Sequence, residues 1–223
     1  MTLIMSATVG GYASIMTADT RQVGSLGKVS FRYNDEPNKV EFITGYVMYG
    51  AGGDSSLANL VKERLRKLVT WESDLGDCYK ALQTVLADYD AKLADETSLQ
   101  LILNGFTHDG QCGKVTFVSG DGAEPTLQIL APGRFNKLVI APTADHVSAI
   151  ANQVREPQLD DVSTAIDNIS SYLVNIHMVA AFTNDELVSP TCKVYVLRKN
   201  LETGALDNYT TEIDTAQYFE ALQ

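Results

Sequence analysis

The chain has 223 residues, 45% of them hydrophobic, and a formal net charge of -11 from 17 Lys and Arg against 28 Asp and Glu. That much apolar material fills a sizeable core and argues against a disordered chain. The acidic excess argues against a nucleic-acid partner, because phosphates are neutralised by Lys and Arg. No apolar run approaches the ~20 residues that a spanning helix needs, so no membrane span is expected.

Residues Leu3 to Val9 and Tyr12 to Ala18 are rich in β-branched and apolar types, and Gly10-Gly11 between them reads as a two-residue hairpin turn. The N-terminus has no basic region before a hydrophobic block, so a strand is expected there rather than a secretory signal. Lys28 to Tyr33, Lys39 to Ile43 and Tyr46 to Ala51 repeat the strand pattern, separated by Asn34-Asp35-Glu36-Pro37 and Thr44-Gly45. After Gly52-Gly53, the oxygens of Asp54, Ser55 and Ser56 are placed to cap a helix with an apolar stripe of Leu57, Leu60, Val61, Leu65 and Leu68. A second helix carries Leu75, Tyr79, Leu82, Leu86, Tyr89 and Leu93 at spacings of three and four.

Four further strands are expected over Leu99 to Phe106, Lys114 to Val118, Thr126 to Leu130 and Lys137 to Ile140, with Gly- and Pro-bearing turns between them. Helical spacing returns from Asp160 to Phe182. The closing strands are Thr191 to Leu197 and Tyr209 to Ile213. Two antiparallel sheets face to face, each with helices outside it, would bury every apolar face, so the expected fold is a four-layer αββα sandwich. Arg155 to Asp161 is too short to separate domains, and a single domain over residues 1–223 is expected.

Cys78, Cys112 and Cys192 are odd in number and widely spaced, which fits buried reduced thiols in a cytoplasmic setting better than disulfides. His108, His146 and His177 share no ligand spacing with one another or with cysteine, so neither a metal nor a cofactor is expected.

The order of these elements, with several short motifs, resembles the proteasome β-type and related N-terminal threonine peptidases of the N-terminal-nucleophile hydrolase superfamily. Thr2-Leu3-Ile4 is similar to that family's N-terminal threonine, and Asp19-Thr20-Arg21 to its Asp-Ser-Arg segment. Lys39-Val40-Glu41-Phe42-Ile43 resembles its catalytic-lysine strand, and Ala51-Gly52-Gly53 the glycines that begin its first helix. Asp185 and Ser189 follow the third helix where an Asp and a Ser assist the nucleophile. They stand four apart instead of three, and Pro190-Thr191 replaces the Gly-Gly continuation.

The resemblance implies a catalytic set of Thr2, Asp19, Lys39, Gly52, Asp185 and Ser189. The α-amine of Thr2, freed by removal of Met1, would take the hydroxyl proton while Oγ attacks a carbonyl carbon. A nearby Lys39 ammonium would favour the neutral amine, Asp19 would hold Lys39, and the Gly52 amide would stabilise the oxyanion. It further implies a ring of identical subunits, unfolded protein or peptide as substrate, and an unfoldase ATPase as partner. Two other readings stand beside it. One is a non-catalytic relative that builds a ring, sheath or virus particle, and the other is an amidase acting on a small amide. In the bland reading, Asp19 and Lys39 form a structural ion pair and the glycines merely allow a tight turn.

Overall fold

In the computed structural model the residues described are 3–26, 29–34, 38–89, 99–120, 122–140, 162–183 and 187–217. Five strands form the first sheet: β1 (Ile4–Val9), β2 (Ala13–Asp19), β10 (Phe135–Ile140), β11 (Thr191–Lys199) and β12 (Leu206–Asp214). Their order is β10-β1-β2-β11-β12, antiparallel throughout. The second sheet contains β5 (Val40–Phe42), β6 (Val47–Gly53), β7 (Leu99–Phe106), β8 (Cys112–Val118) and β9 (Thr126–Leu130) in sequential antiparallel order. Between them in sequence, β3 (Gln22–Leu26) and β4 (Val29–Asn34) form a separate two-stranded ribbon.

Three helices complete the described structure: α1 (Ser55–Leu68), α2 (Leu75–Ala87) and α3 (Val162–Thr183). Asp54 caps α1, its carboxylate accepting from the amides of Ser56 and Leu57. Asp74 caps α2 in a reciprocal box with Asp77.

Alternation along the strands divides the apolar residues among three cores. Leu3, Met5, Ala7, Val9 and Ile15 turn toward Ile169, Leu173, Ile176 and Ala180 of α3. Ile4, Met16 and Ala18, one residue out of phase, meet Met48, Ile102 and Phe106 of the second sheet. The other face of the second sheet, with Tyr49, Leu101, Leu103 and Val115, packs against Leu57, Val61, Leu65, Leu75 and Leu82 of α1 and α2. Every residue of β1 and β2 is buried because both faces are covered.

The expected four-layer αββα sandwich is corrected by this arrangement. Five strands about 4.8 Å apart make a sheet some 20 Å wide, whereas one helix covers about 10 Å of it. α3 is the one described helix on the first sheet, and its far side is left open. Val194, Val196, Tyr209, Thr211 and Ile213 line a cleft of about 750 Å³ beside α3. Six consecutive residues of β12, Asp207 to Thr211 and then Glu212, are exposed. Strands outnumber helices twelve to three among the described residues. The molecule is a strand-dominated pair of antiparallel sheets, not a stack of two complete helical layers around two sheets.

Smaller expectations are also revised. The Gly10-Gly11 turn is a three-residue connection, since Val9 pairs with Ala13 and Tyr12 donates its amide back to the Val9 carbonyl. Gly11 there has φ of 77°, a conformation that costs a side-chain-bearing residue energy. Residues Gln22 to Leu26, absent from the expected strands, form β3. In α1, Leu60 and Leu68 of the expected apolar stripe face solvent, and Ala58 takes the buried position instead. Leu93, His146 and the stretch Arg155 to Asp161 lie outside the described residues.

Candidate functional site

Asp19 ends β2 and is 1% exposed. Its position follows from pleat: with Ala13, Ile15 and Thr17 it faces the α3 side of the sheet, opposite Cys192 in the register with β11. Three donors meet its carboxylate. Oδ1 accepts from the Leu3 amide at 2.8 Å and from Lys39 Nζ at 2.5 Å, and Oδ2 accepts from the Arg21 amide at 3.0 Å. The start of the chain, the end of β2 and the residue before β5 are thereby tied to one carboxylate. Lys39 itself is placed by its backbone, whose carbonyl accepts from the Ala51 amide at 3.4 Å.

The Lys39 side chain is 7% exposed. Burial pushes its ammonium below the ordinary lysine range; the Asp19 charge and hydrogen bond pull the other way, and Arg21 adds to the lowering. This is a cation paired with Asp19 in a site that disfavours charge.

A second tier lies behind Asp19. Ser189 is 3% exposed, and its Oγ accepts from Thr20 Oγ1 at 3.0 Å and from the Thr191 amide at 3.1 Å. Arg21 Nη1 donates to the Val188 carbonyl at 3.2 Å. His177, fully buried on α3, places Nε2 2.8 Å from the Ser189 carbonyl. Burial lowers the His177 pKa below its usual 6.5, while the Ser189 carbonyl and the Asp19 charge oppose the shift and Lys39 adds to it. The ring is therefore neutral at pH 7.

Of the six residues singled out in the sequence, Asp19, Lys39 and Ser189 are brought to one place. Thr2 and Asp185 lie outside the described residues. Gly52 is buried within β6 opposite Gln100, three residues before α1 begins. Because the Ala51 amide points to β5, the next amide, that of Gly52, faces β7. Sequence reasoning missed Thr20, Arg21 as a side-chain partner, and His177. His177 faces the first sheet at helical spacing from Leu173 and Ala180, which is the one signal that pointed to its burial.

Three cavities elsewhere are lined by other residues than Asp19, Lys39 and Ser189. One is the cleft beside α3, another of about 510 Å³ lies by Tyr46, Trp71 and His108, and a third of about 720 Å³ by Tyr12, Gln111 and Leu201. Asp74, Asp77 and His108 bring three ligand atoms within 4.8 Å of one another. The two carboxylates there cap α2, and Asp74 already accepts from the amides of Asp77 and His108. The positive end of the helix opposes a cation at that point.

Buried thiols complete the picture. Burial pushes Cys78 up to about 12, and Cys192 is raised by burial and by the Asp19 charge. They remain protonated and poorly nucleophilic at neutral pH. No described helix is long and apolar enough to cross a membrane. Comparison of the chain with known protein families finds no matching family model, and comparison with curated proteins finds no match.

Proposed function

We propose that the chain is an N-terminal threonine peptidase of the proteasome β-type kind, cleaving peptide bonds within a ring of its own copies. One observation carries the reading: the Leu3 amide and the Lys39 ammonium share Oδ1 of Asp19. The residue joined to Leu3 by a single peptide bond is Thr2. Removal of Met1 would free an α-amine on the residue that also bears the hydroxyl.

In this scheme the amine accepts the proton of Thr2 Oγ as Oγ bonds to the substrate carbonyl carbon. Collapse of the tetrahedral adduct breaks the C–N bond, and the amine returns the proton to the leaving nitrogen. Water then hydrolyses the ester. A positive Lys39 would disfavour a second positive charge nearby, which keeps the amine in its basic form, and Asp19 opposes the loss of Lys39 charge on burial. Ser189 supports the segment that follows Asp19. Orientation of the Gly52 amide toward β7 gives no support to an oxyanion role for it. A cytoplasmic setting, an unfolded or peptide substrate and an unfoldase partner accompany this reading.

A second reading has its own observation. Both Asp19 oxygens are occupied by donors from the fold itself, as in a structural clip that pins β1, β2 and β5. Under it the chain is a non-catalytic building block of a ring or virus particle.

Intact-mass measurement and fluorogenic peptide turnover separate the two. The peptidase requires a mass lacking Met1, with turnover lost in Thr2→Ala and in Lys39→Ala. Retained methionine, or Thr2→Ala turning over like the wild type, ends the peptidase reading and leaves the clip.

A further inference from the structure

His177 lies one hydrogen bond behind the residues already described, and its chemistry is constrained by its partner. A carbonyl oxygen only accepts, so the 2.8 Å contact between Nε2 and the Ser189 carbonyl requires the proton on Nε2. Nδ1 is then the unprotonated nitrogen, and it has no hydrogen-bond partner among the described residues. A neutral, buried ring with one donor engaged has one tautomer available.

The peptide that receives this bond is held from several directions. Ser189 Oγ accepts from Thr20 Oγ1, and the preceding carbonyl, that of Val188, accepts from Arg21 Nη1. Pro190 follows, has no amide hydrogen, and offers its carbonyl to both the amide and Oγ1 of Thr215. The turn before β11 is thus suspended between α3, the end of β2 and the end of β12. Thr20 and Arg21 directly follow Asp19, so displacement of the turn is felt at the carboxylate that holds Lys39. Without His177, the Ser189 carbonyl would be buried with no donor on the helix side.

We infer that His177 is a positioning residue, fixed as the Nε2–H tautomer, that seats the Val188–Ser189 turn against Thr20 and Arg21 and thereby sets the geometry of the Asp19–Lys39 pair. Its relevance to catalysis rests on the peptidase reading, but the positioning itself does not.

The test uses the full chain and two variants. His177→Gln retains an amide N–H near the place of Nε2, whereas His177→Leu fills similar space with no donor. Long-range nitrogen–proton NMR of histidine-labelled wild type reports the tautomer directly, and lysine nitrogen NMR follows the titration of Lys39. The expected result is a proton on Nε2, a Lys39 titration displaced in His177→Leu, and its return toward the wild-type course in His177→Gln. If the wild type turns over peptide, His177→Leu should lower kcat by about ten- to a hundredfold with little change in KM, and His177→Gln should recover most of it. A proton on Nδ1, or a Lys39 titration identical in all three proteins, overturns the inference. Should His177→Leu fail to fold, His177→Met takes its place as the donor-free variant in the Lys39 titration, and the wild-type tautomer is read without either. None of the NMR readouts needs turnover, so a Thr2→Ala variant that turns over like the wild type would sink the peptidase and leave the positioning role to stand or fall separately.

Discussion

Lys39 Nζ lies 2.5 Å from Asp19 Oδ1, joining the residue before β5 of one sheet to the end of β2 in the other. The surroundings of the two charges differ. Asp19 has two further donors, the Leu3 and Arg21 amides, while burial presses on the Lys39 charge.

This asymmetry predicts unequal costs of substitution. Asp19→Ala removes the carboxylate that faces a buried cation and two amides, so it should destabilise by about 3–5 kcal/mol. Lys39→Met leaves a carboxylate with two amide donors and should cost clearly less. Urea unfolding of both variants checks the order, and equal losses would mean that the amides contribute nothing.

Acid sensitivity should trace in part to His177. Its folded pKa lies below the unfolded value of 6.5, so below that pH the unfolded chain binds a proton that the folded chain refuses. The stability this contributes is complete above pH 6.5 and is lost as pH falls through the lower, folded pKa. His177→Gln should flatten that part of a stability–pH profile. A slope unchanged by the substitution would assign the effect to other groups.

The contact between the sheets contains a polar network that should be costly to break halfway. Asn104 on β7 receives the Thr8 hydroxyl at 2.7 Å on Oδ1 and donates from Nδ2 to Ser6 Oγ at 2.8 Å, and all three residues are buried. Asn104→Ala leaves two buried hydroxyls without their partner and should cost about 1–3 kcal/mol by thermal or chemical unfolding.

Helix α1 offers a paired control. Glu41 on β5 binds Lys62 at 2.6 Å and also pairs with Arg66, but all three side chains reach solvent. Glu41→Ala should therefore cost no more than about 1 kcal/mol, and less in high salt. On the same helix Leu65 is fully buried, and Leu65→Ala should cost about 2–5 kcal/mol. A comparable loss at both positions would contradict the burial assigned to them.

Local chemistry made most elements legible in the sequence. Period-two runs located β1 and β2 to within a residue, and Asp54 marked the start of α1 through side-chain capping. The residues of the candidate site were partly legible for a different reason, since Asp19, Lys39 and Ser189 lie at element ends where motif order exposes them. His177 was not, because a histidine inside an apolar helical pattern looks like core until its partner across the sheet is known. Gly52 looked like a helix start, yet its amide direction depends on the β5 pairing of the preceding residue.

What the sequence determined by itself is most of the strands and helices and most of the faces they bury, because periodicity and capping are properties of neighbouring residues. Only the tertiary structure decided how far the helices cover the sheets, which side of α3 stays open, and that the Leu3 amide, Lys39 and Arg21 converge on Asp19. Those outcomes depend on strand order and sheet width, which arise from contacts between residues far apart in the chain and leave no local pattern to read.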